Sequence, residues 1–136
     1  MFDECFVDTA CWVGLLNKDD EIHELADSKY RIMMKSGVHF VTTTAVLNEV
    51  ANSLSDSRFR AAVVEFYRRL QVSPHVEIVF VDQHLWSAGW QVYKKYFDKS
   101  WSLTDCISIS VMQERGFMDV LTTDRHFKQA GFIPLL

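Results

Sequence analysis

Apolar residues occur along this chain as short continuous runs, separated by longer stretches with an apolar residue at every third or fourth position. The runs are Cys5-Phe6-Val7 in "CFVD" (5–8), "HFVTT" (39–43), "VEIVFV" (76–81), "MDVLTT" (118–123) and "FIPLL" (132–136). Short apolar runs bounded by polar or turn residues predict strands buried on both faces. The stretches between them predict helices. "TACWVGLLN" (9–17) is a short one. "DDEIHELADSKYRIMMKSG" (19–37) opens with acids and closes on Lys35-Ser36-Gly37, the order that suits the helix dipole. In "TTAVLNEVANSL" (43–54), Leu47, Val50, Ala51 and Leu54 share one face. After the polar break "SDS", Phe59, Ala62, Val63, Phe66 and Leu70 repeat that pattern. A helix started by Asp82 covers "DQHLWSAGWQVYKKYF" (82–97), and "KSWS" is a loop. "LTDCISISVMQERG" (103–116) carries apolar or small residues nearly all round, which predicts a buried helix ending at Gly116. "DRHFKQAG" (124–131) is a short helix or turn.

Strands alternating with helices predict a parallel sheet covered on both faces, an α/β sandwich. In open sheets of that kind, ligand sites gather beyond the carboxyl ends of the strands. The 136 residues fit one domain, 1–136, with no repeat or low-complexity tract. Hydrophobic residues make up 49%, including ten Phe, four Trp and four Tyr, enough for one core.

The net charge of −4 argues against binding nucleic acid through a large basic surface. It leaves a nuclease open, because an empty metal site is itself acidic. Arg68-Arg69 and Lys94-Lys95 read as solvated helix faces. Cys5, Cys11 and Cys106 lie in apolar or small-residue surroundings without a CxxC pair. They read as buried free thiols in a reducing compartment. The segment "MFDECFVD" lacks a basic leader pattern, and no stretch approaches the ~18 apolar residues of a membrane span. The expectation is a soluble cytoplasmic protein.

Candidate chemistry begins with Asp8, a carboxylate set where a buried strand ends and a helix begins. Asp124 follows "VLTT" in the same way, and on neighbouring parallel strands the two acids would share one rim, ~4.8 Å apart. Asp105 sits in "SLTD", where Ser102 and Asp105 have the spacing of a capping box. Glu49 points away from the apolar face of its helix, toward the same side as Asn48 and Asn52. Taken singly, Asp8, Asp105 and Asp124 read as helix caps and Glu49 as a solvated side chain. Taken together they form a cluster of like charges that a divalent cation would relieve. Oxygen donors point to Mg²⁺ or Mn²⁺, and the His and Cys spacing does not suit zinc. Hard cations held by carboxylates serve phosphate chemistry.

"FVDTACW", "TTAVLNEVANSL", "SLTDCISISVM" and "VLTTDRHF", in that order, resemble the PIN-domain family, in particular the VapC-type toxin ribonucleases. The resemblance spans essentially the whole chain. It implies a three-layer α/β/α sandwich with a central, mostly parallel sheet of four to five strands. It implies endoribonuclease cleavage of single-stranded RNA, dependent on Mg²⁺ or Mn²⁺. It assigns the acidic quartet to Asp8, Glu49, Asp105 and Asp124, with Asp8, Asp105 and Asp124 as the metal centre and Glu49 joining directly or through water. Thr9 and Thr123 would position water or substrate phosphate, and Arg125 would contact phosphate. Some family members carry a second acid two residues after the fourth, where this chain has His126, so one or two bound ions both stay open. His126 reads as a surface histidine or a phosphate contact.

The family also implies a homodimer and a cognate antitoxin. That partner could insert a basic side chain into the acidic pocket and cover the helices near residues 44–70. Of the tryptophans, Trp12, Trp86 and Trp90 read as core or interface, and Trp101, in a polar loop, is a candidate for base stacking. Two alternatives stand beside the nuclease. One is a catalytically silent PIN-like module that binds RNA or protein. The other is a dehalogenase-like phosphatase, whose D-x-D pattern is not met by Asp8-Thr9-Ala10.

Overall fold

The computed structural model of the chain describes residues 3–136; Met1 and Phe2, the start of the expected domain 1–136 and of "MFDECFVD", lie outside the described residues. Five parallel strands form one sheet: β1 (Glu4–Val7), β2 (His39–Thr43), β3 (Val76–Val79), β4 (Asp119–Leu121) and β5 (Ile133–Pro134). Their spatial order is β3-β2-β1-β4-β5. The helices are α1 (Thr9–Leu16), α2 (His23–Lys35), α3 (Thr44–Ser53), α4 (Ser57–Val72), α5 (Gln83–Lys95), α6 (Leu103–Arg115) and α7 (Arg125–Gln129). Right-handed crossovers send α1–α4 to one face of the sheet and α5–α7 to the other. The packing agrees, with α1 against α2 and α3, and α6 against α5 and α7. This is the expected α/β sandwich, and its sheet is wholly parallel.

The central strand explains why "CFV" is an unbroken apolar run. Cys5, Phe6 and Val7 are covered from both faces and on both edges, and are essentially inaccessible. The core continues through Phe40, Val41, Val120, Leu121 and the α7 anchor Phe127. Among the described residues, no helix is long and apolar enough to cross a membrane.

Several boundaries differ from the sequence pattern for physical reasons. The helix expected from residue 19 begins at His23, because Asn17 and Asp20 use their side chains to hold a turn through the Asp19 and Ile22 N–H groups. The third strand stops at Val79. Its partner β2 turns into α3 after Thr43, so Val81 N–H donates to the Thr44 hydroxyl at 3.0 Å, while Phe80 is exposed. The last strand is only Ile133–Pro134. On α3 the buried face is Val46, Val50 and Leu54, with Ala51 exposed. On α4 only Leu70 is fully buried, which leaves Phe59, Val63 and Phe66 half-covered. The helix predicted to be buried is so: every residue from Asp105 to Met112 on α6 is inaccessible.

Candidate metal centre

The strand order reverses direction at β1. β2 and β3 lie on one side of it and β4 and β5 on the other. Crevices open at the carboxyl ends of strands at such a point, and both Asp8 and Asp124 stand there. The pairing of Val7 with Leu121 sets the register, and the Asp8 N–H extends the ladder to the Leu121 carbonyl at 3.2 Å.

Asp8 precedes α1 but makes no side-chain capping bond to it. Its carboxylate instead accepts a 2.9 Å hydrogen bond from the Thr122 hydroxyl, with Asp8 only 4% exposed. Burial is the main reason its pKa is pushed up to about 7; the charges of Asp105 and Asp124 push the same way, against the Thr9 N–H and the Thr122 hydroxyl.

Asp105 and Asp124 do cap their helices. Ser102 and Asp105 form a complete capping box, with the Asp105 N–H donating to Ser102 Oγ at 3.0 Å and the Ser102 N–H to Asp105 Oδ2 at 3.2 Å. Asp124 accepts the His126 N–H at 2.9 Å. Burial raises Asp105, against the hydrogen bond from His126 that lowers it, and the charge of Asp124 adds to the rise. For these two acids, capping and clustering are the same arrangement. For Asp8, capping does not account for the residue.

Glu49 is half-buried on α3, and its Oε1 accepts a 2.6 Å hydrogen bond from the Thr9 hydroxyl on α1. Packing of α1 on α3 thus ties Glu49 to the residue beside Asp8. Thr123 is exposed, and so is Arg125 at the start of α7. The hydroxyl set between the acids belongs to Thr122, which donates to Asp8 and accepts the Asp124 N–H at 3.0 Å. Thr122 is thus a residue the sequence reading did not single out, while Thr123 lies exposed beside it. The register could have found it, since the residue after Leu121 lies across from the one after Val7.

His126 is also not the surface histidine the sequence suggested. Its Nδ1 lies 2.9 Å from Asp105 Oδ2 and 3.2 Å from Asp124 Oδ1. The His126 ring nitrogen thus lies within hydrogen-bonding reach of both acids. Trp101, the stacking candidate, is buried: its Nε1 donates to Gln129 Oε1 at 2.9 Å and its ring packs on Tyr96. The three cysteines are free and buried, and burial pushes each thiol up.

The donor set fits a hard divalent cation. Asp8 and Asp105 are carboxylates raised chiefly by burial, with the charges of neighbouring acids adding to the rise, and a bound cation would relieve that cost. The ligand atoms of Asp105, Asp124 and His126 all lie within 4.8 Å of one another.

Known proteins resemble this chain in sequence and in fold. The family model described as PIN domain matches residues 5–133. The 23S rRNA-specific endonuclease VapC20 of Mycobacterium tuberculosis is 30% identical over 132 residues, covering 94% of this chain and 95% of the relative. The crystal structure of that Mycobacterium tuberculosis protein, a sarcin-ricin loop cleaving toxin, superposes with a TM-score of 0.84 at 26% identity, covering 96% of this chain and 98% of the other. VapBC2 from Rickettsia felis, bound to a DNA fragment from its promoter, matches at a TM-score of 0.71 and 13% identity over 97% of each chain, a likeness of fold.

Proposed function

Since the chain belongs to the PIN domain family, we propose that it is an endoribonuclease dependent on Mg²⁺ or Mn²⁺, the toxin of a toxin–antitoxin pair. The whole chain acts as one catalytic domain in the cytoplasm. The observation that carries this reading is the cluster of Asp105, Asp124 and His126, whose ligand atoms lie within 4.8 Å of one another, joined to Asp8 through the Thr122 hydroxyl at the point where the strand order reverses. Nearly full-length similarity to a 23S rRNA-specific endonuclease supports RNA as the substrate and makes ribosomal RNA the first one to test.

Asp8, Asp105 and Asp124 would hold the cation, with Glu49 joining directly or through water. When bound, a divalent ion neutralises phosphate charge and makes a nearby water more acidic. The chain's own groups do the rest. Thr122 fixes the orientation of the Asp8 carboxylate, and Thr9 fixes that of Glu49. The capping box on α6 holds Asp105 against the rim. Arg125 and Thr123, both exposed and flanking Asp124 in sequence, would contact substrate phosphate.

Two surfaces support the partners. Apolar grooves of about 510 and 420 Å³ flank Phe66, one toward Trp12 and Tyr30, the other toward Leu47 and Val64. They suit an apolar antitoxin segment lying over the helices of residues 44–70. On α5, Trp86, Trp90 and Tyr93 are exposed in edge-to-face contact, with Phe97 beyond them. An exposed aromatic face of this kind suits a homodimer interface.

The test is cleavage of purified ribosomal RNA with Mg²⁺ or Mn²⁺. Asp8→Asn and Asp105→Asn should fall to background while keeping the native circular dichroism. Undiminished cleavage by Asp8→Asn would reject the assignment. Lack of Mn²⁺ binding at millimolar concentration would favour a silent module.

A further inference from the structure

His126 occupies the position two residues after Asp124, at the second residue of α7. The next residue, Phe127, is fully buried and pins the helix to the core. With the His126 N–H held by Asp124 Oδ1, the ring is directed inward, and its side chain is 31% exposed. A histidine serving only solubility would present its ring to water. This one sets Nδ1 at 2.9 Å from Asp105 Oδ2 and 3.2 Å from Asp124 Oδ1.

Those distances have a chemical meaning. An octahedral ion with bonds of about 2.1 Å holds adjacent ligand atoms about 3.0 Å apart. The nitrogen stands at about that spacing from each of its two oxygen neighbours. When its ring proton sits on Nε2 rather than on Nδ1, the imidazole has a lone pair on Nδ1 beside both carboxylates.

We propose that His126 is a nitrogen ligand of the metal centre and biases it toward Mn²⁺ over Mg²⁺. The proposal rests on the metal-dependent activity proposed above. Mg²⁺ favours oxygen donors, whereas first-row transition ions accept imidazole. A neutral imidazole in place of a carboxylate also lowers the negative charge of the site, which weakens its hold on Mg²⁺ most.

The experiment uses chelator-treated full-length protein titrated with MnCl₂ and separately with MgCl₂ by calorimetry. The Mn²⁺-loaded protein is also examined by pulsed electron paramagnetic resonance for coupling to ¹⁴N. The wild type should give a histidine nitrogen coupling that vanishes in His126→Ala and in His126→Asp. The ratio of Mn²⁺ to Mg²⁺ affinity should fall at least about tenfold in His126→Ala. His126→Asp, which restores a carboxylate, should bind Mg²⁺ more tightly than the wild type. If Mn²⁺ binds, and Asp105→Asn abolishes binding, but no nitrogen coupling is seen or it persists in both variants, His126 is only an ion-pair partner of the acids. The proposal then fails while the metal centre stands. If Mn²⁺ does not bind, or binds Asp105→Asn equally well, the metal centre itself is rejected.

Discussion

The Thr122 hydroxyl donates a 2.9 Å hydrogen bond to Asp8 Oδ2, joining residues 114 positions apart in sequence. The same oxygen accepts the Asp124 N–H at 3.0 Å, so one side chain orients two of the acids. Thr122→Val keeps the shape, but leaves a buried carboxylate and a backbone N–H without that partner. The expected cost is about 1–3 kcal/mol of stability and a 10- to 100-fold loss of cleavage, of the order seen when a group that orients a metal ligand is removed. Thr123→Val, at an exposed position, should change stability by less than about 0.5 kcal/mol. Denaturant unfolding and RNA cleavage on both variants decide the matter. A larger loss of stability at Thr123 than at Thr122 would contradict the geometry.

The pKa of Asp8 gives the metal-free protein an unusual dependence on pH. Its carboxyl is pushed up to about 7 in the folded state, chiefly by burial, and titrates at about 3.9 when unfolded. Between those values the folded chain keeps a proton that the unfolded chain has released. The contribution of Asp8 is therefore fully present below about pH 4 and is lost as pH rises toward about 7. Asp105, also raised, acts in the same direction. The melting temperature in chelator should fall between pH 5 and 7.5. Asp8→Asn should flatten that slope, and added Mn²⁺ should restore the melting temperature at the upper end. A melting temperature that climbs with pH in chelator would refute the burial argument.

Close packing of α5 on α6 positions Asp105 from behind. A Cβ on Gly89 would lie 2.5 Å from Ile107 Cγ1 and 3.5 Å from the Ile107 backbone, one turn or less from Asp105. Gly89→Ala should destabilise by about 1–3 kcal/mol through overpacking, although Ala favours a helix by about 1 kcal/mol. Urea midpoints measure the first effect, and reduced cleavage in native buffer reports the displacement of α6. An unchanged midpoint would mean that the two helices separate at no cost.

Most of the architecture was legible because it rests on periodicity. The runs "CFV" and "HFVTT" mark strands whose both faces are covered, and the all-round apolar pattern of α6 marks its burial. Asp8 and Asp124 were legible because strand ends in a parallel sheet share one rim. Thr122 and His126 escaped because their roles depend on register and on the direction of a ring, and neither leaves a periodic trace. Of two adjacent threonines, only the pairing of Val7 with Leu121 selects Thr122. The direction of His126 is set by Phe127 seated in the core and by the N–H bond to Asp124. Trp101 departs from its sequence pattern for a related reason. Its loop is polar, but its indole N–H reaches Gln129 on α7, which closes the ring into the fold.

The aromatic face of α5 makes oligomeric state testable at single residues. Trp86 and Trp90 stand 6.1 Å apart and Trp90 and Tyr93 5.3 Å apart, edge to face, while Phe97 is 88% exposed. Large apolar groups left in water at neighbouring positions are covered in the assembled state. The wild type should sediment as a dimer. Trp90→Glu with Phe97→Glu would set like charges against each other across a two-fold interface and should sediment as a monomer. Lys94, Lys95 and Lys99 are interleaved with these rings, so an RNA track is the competing use of the face. In that case the double variant would keep the wild-type mass and lose cleavage, whereas a monomer whose isolated chain still cuts RNA identifies the face as the contact between copies.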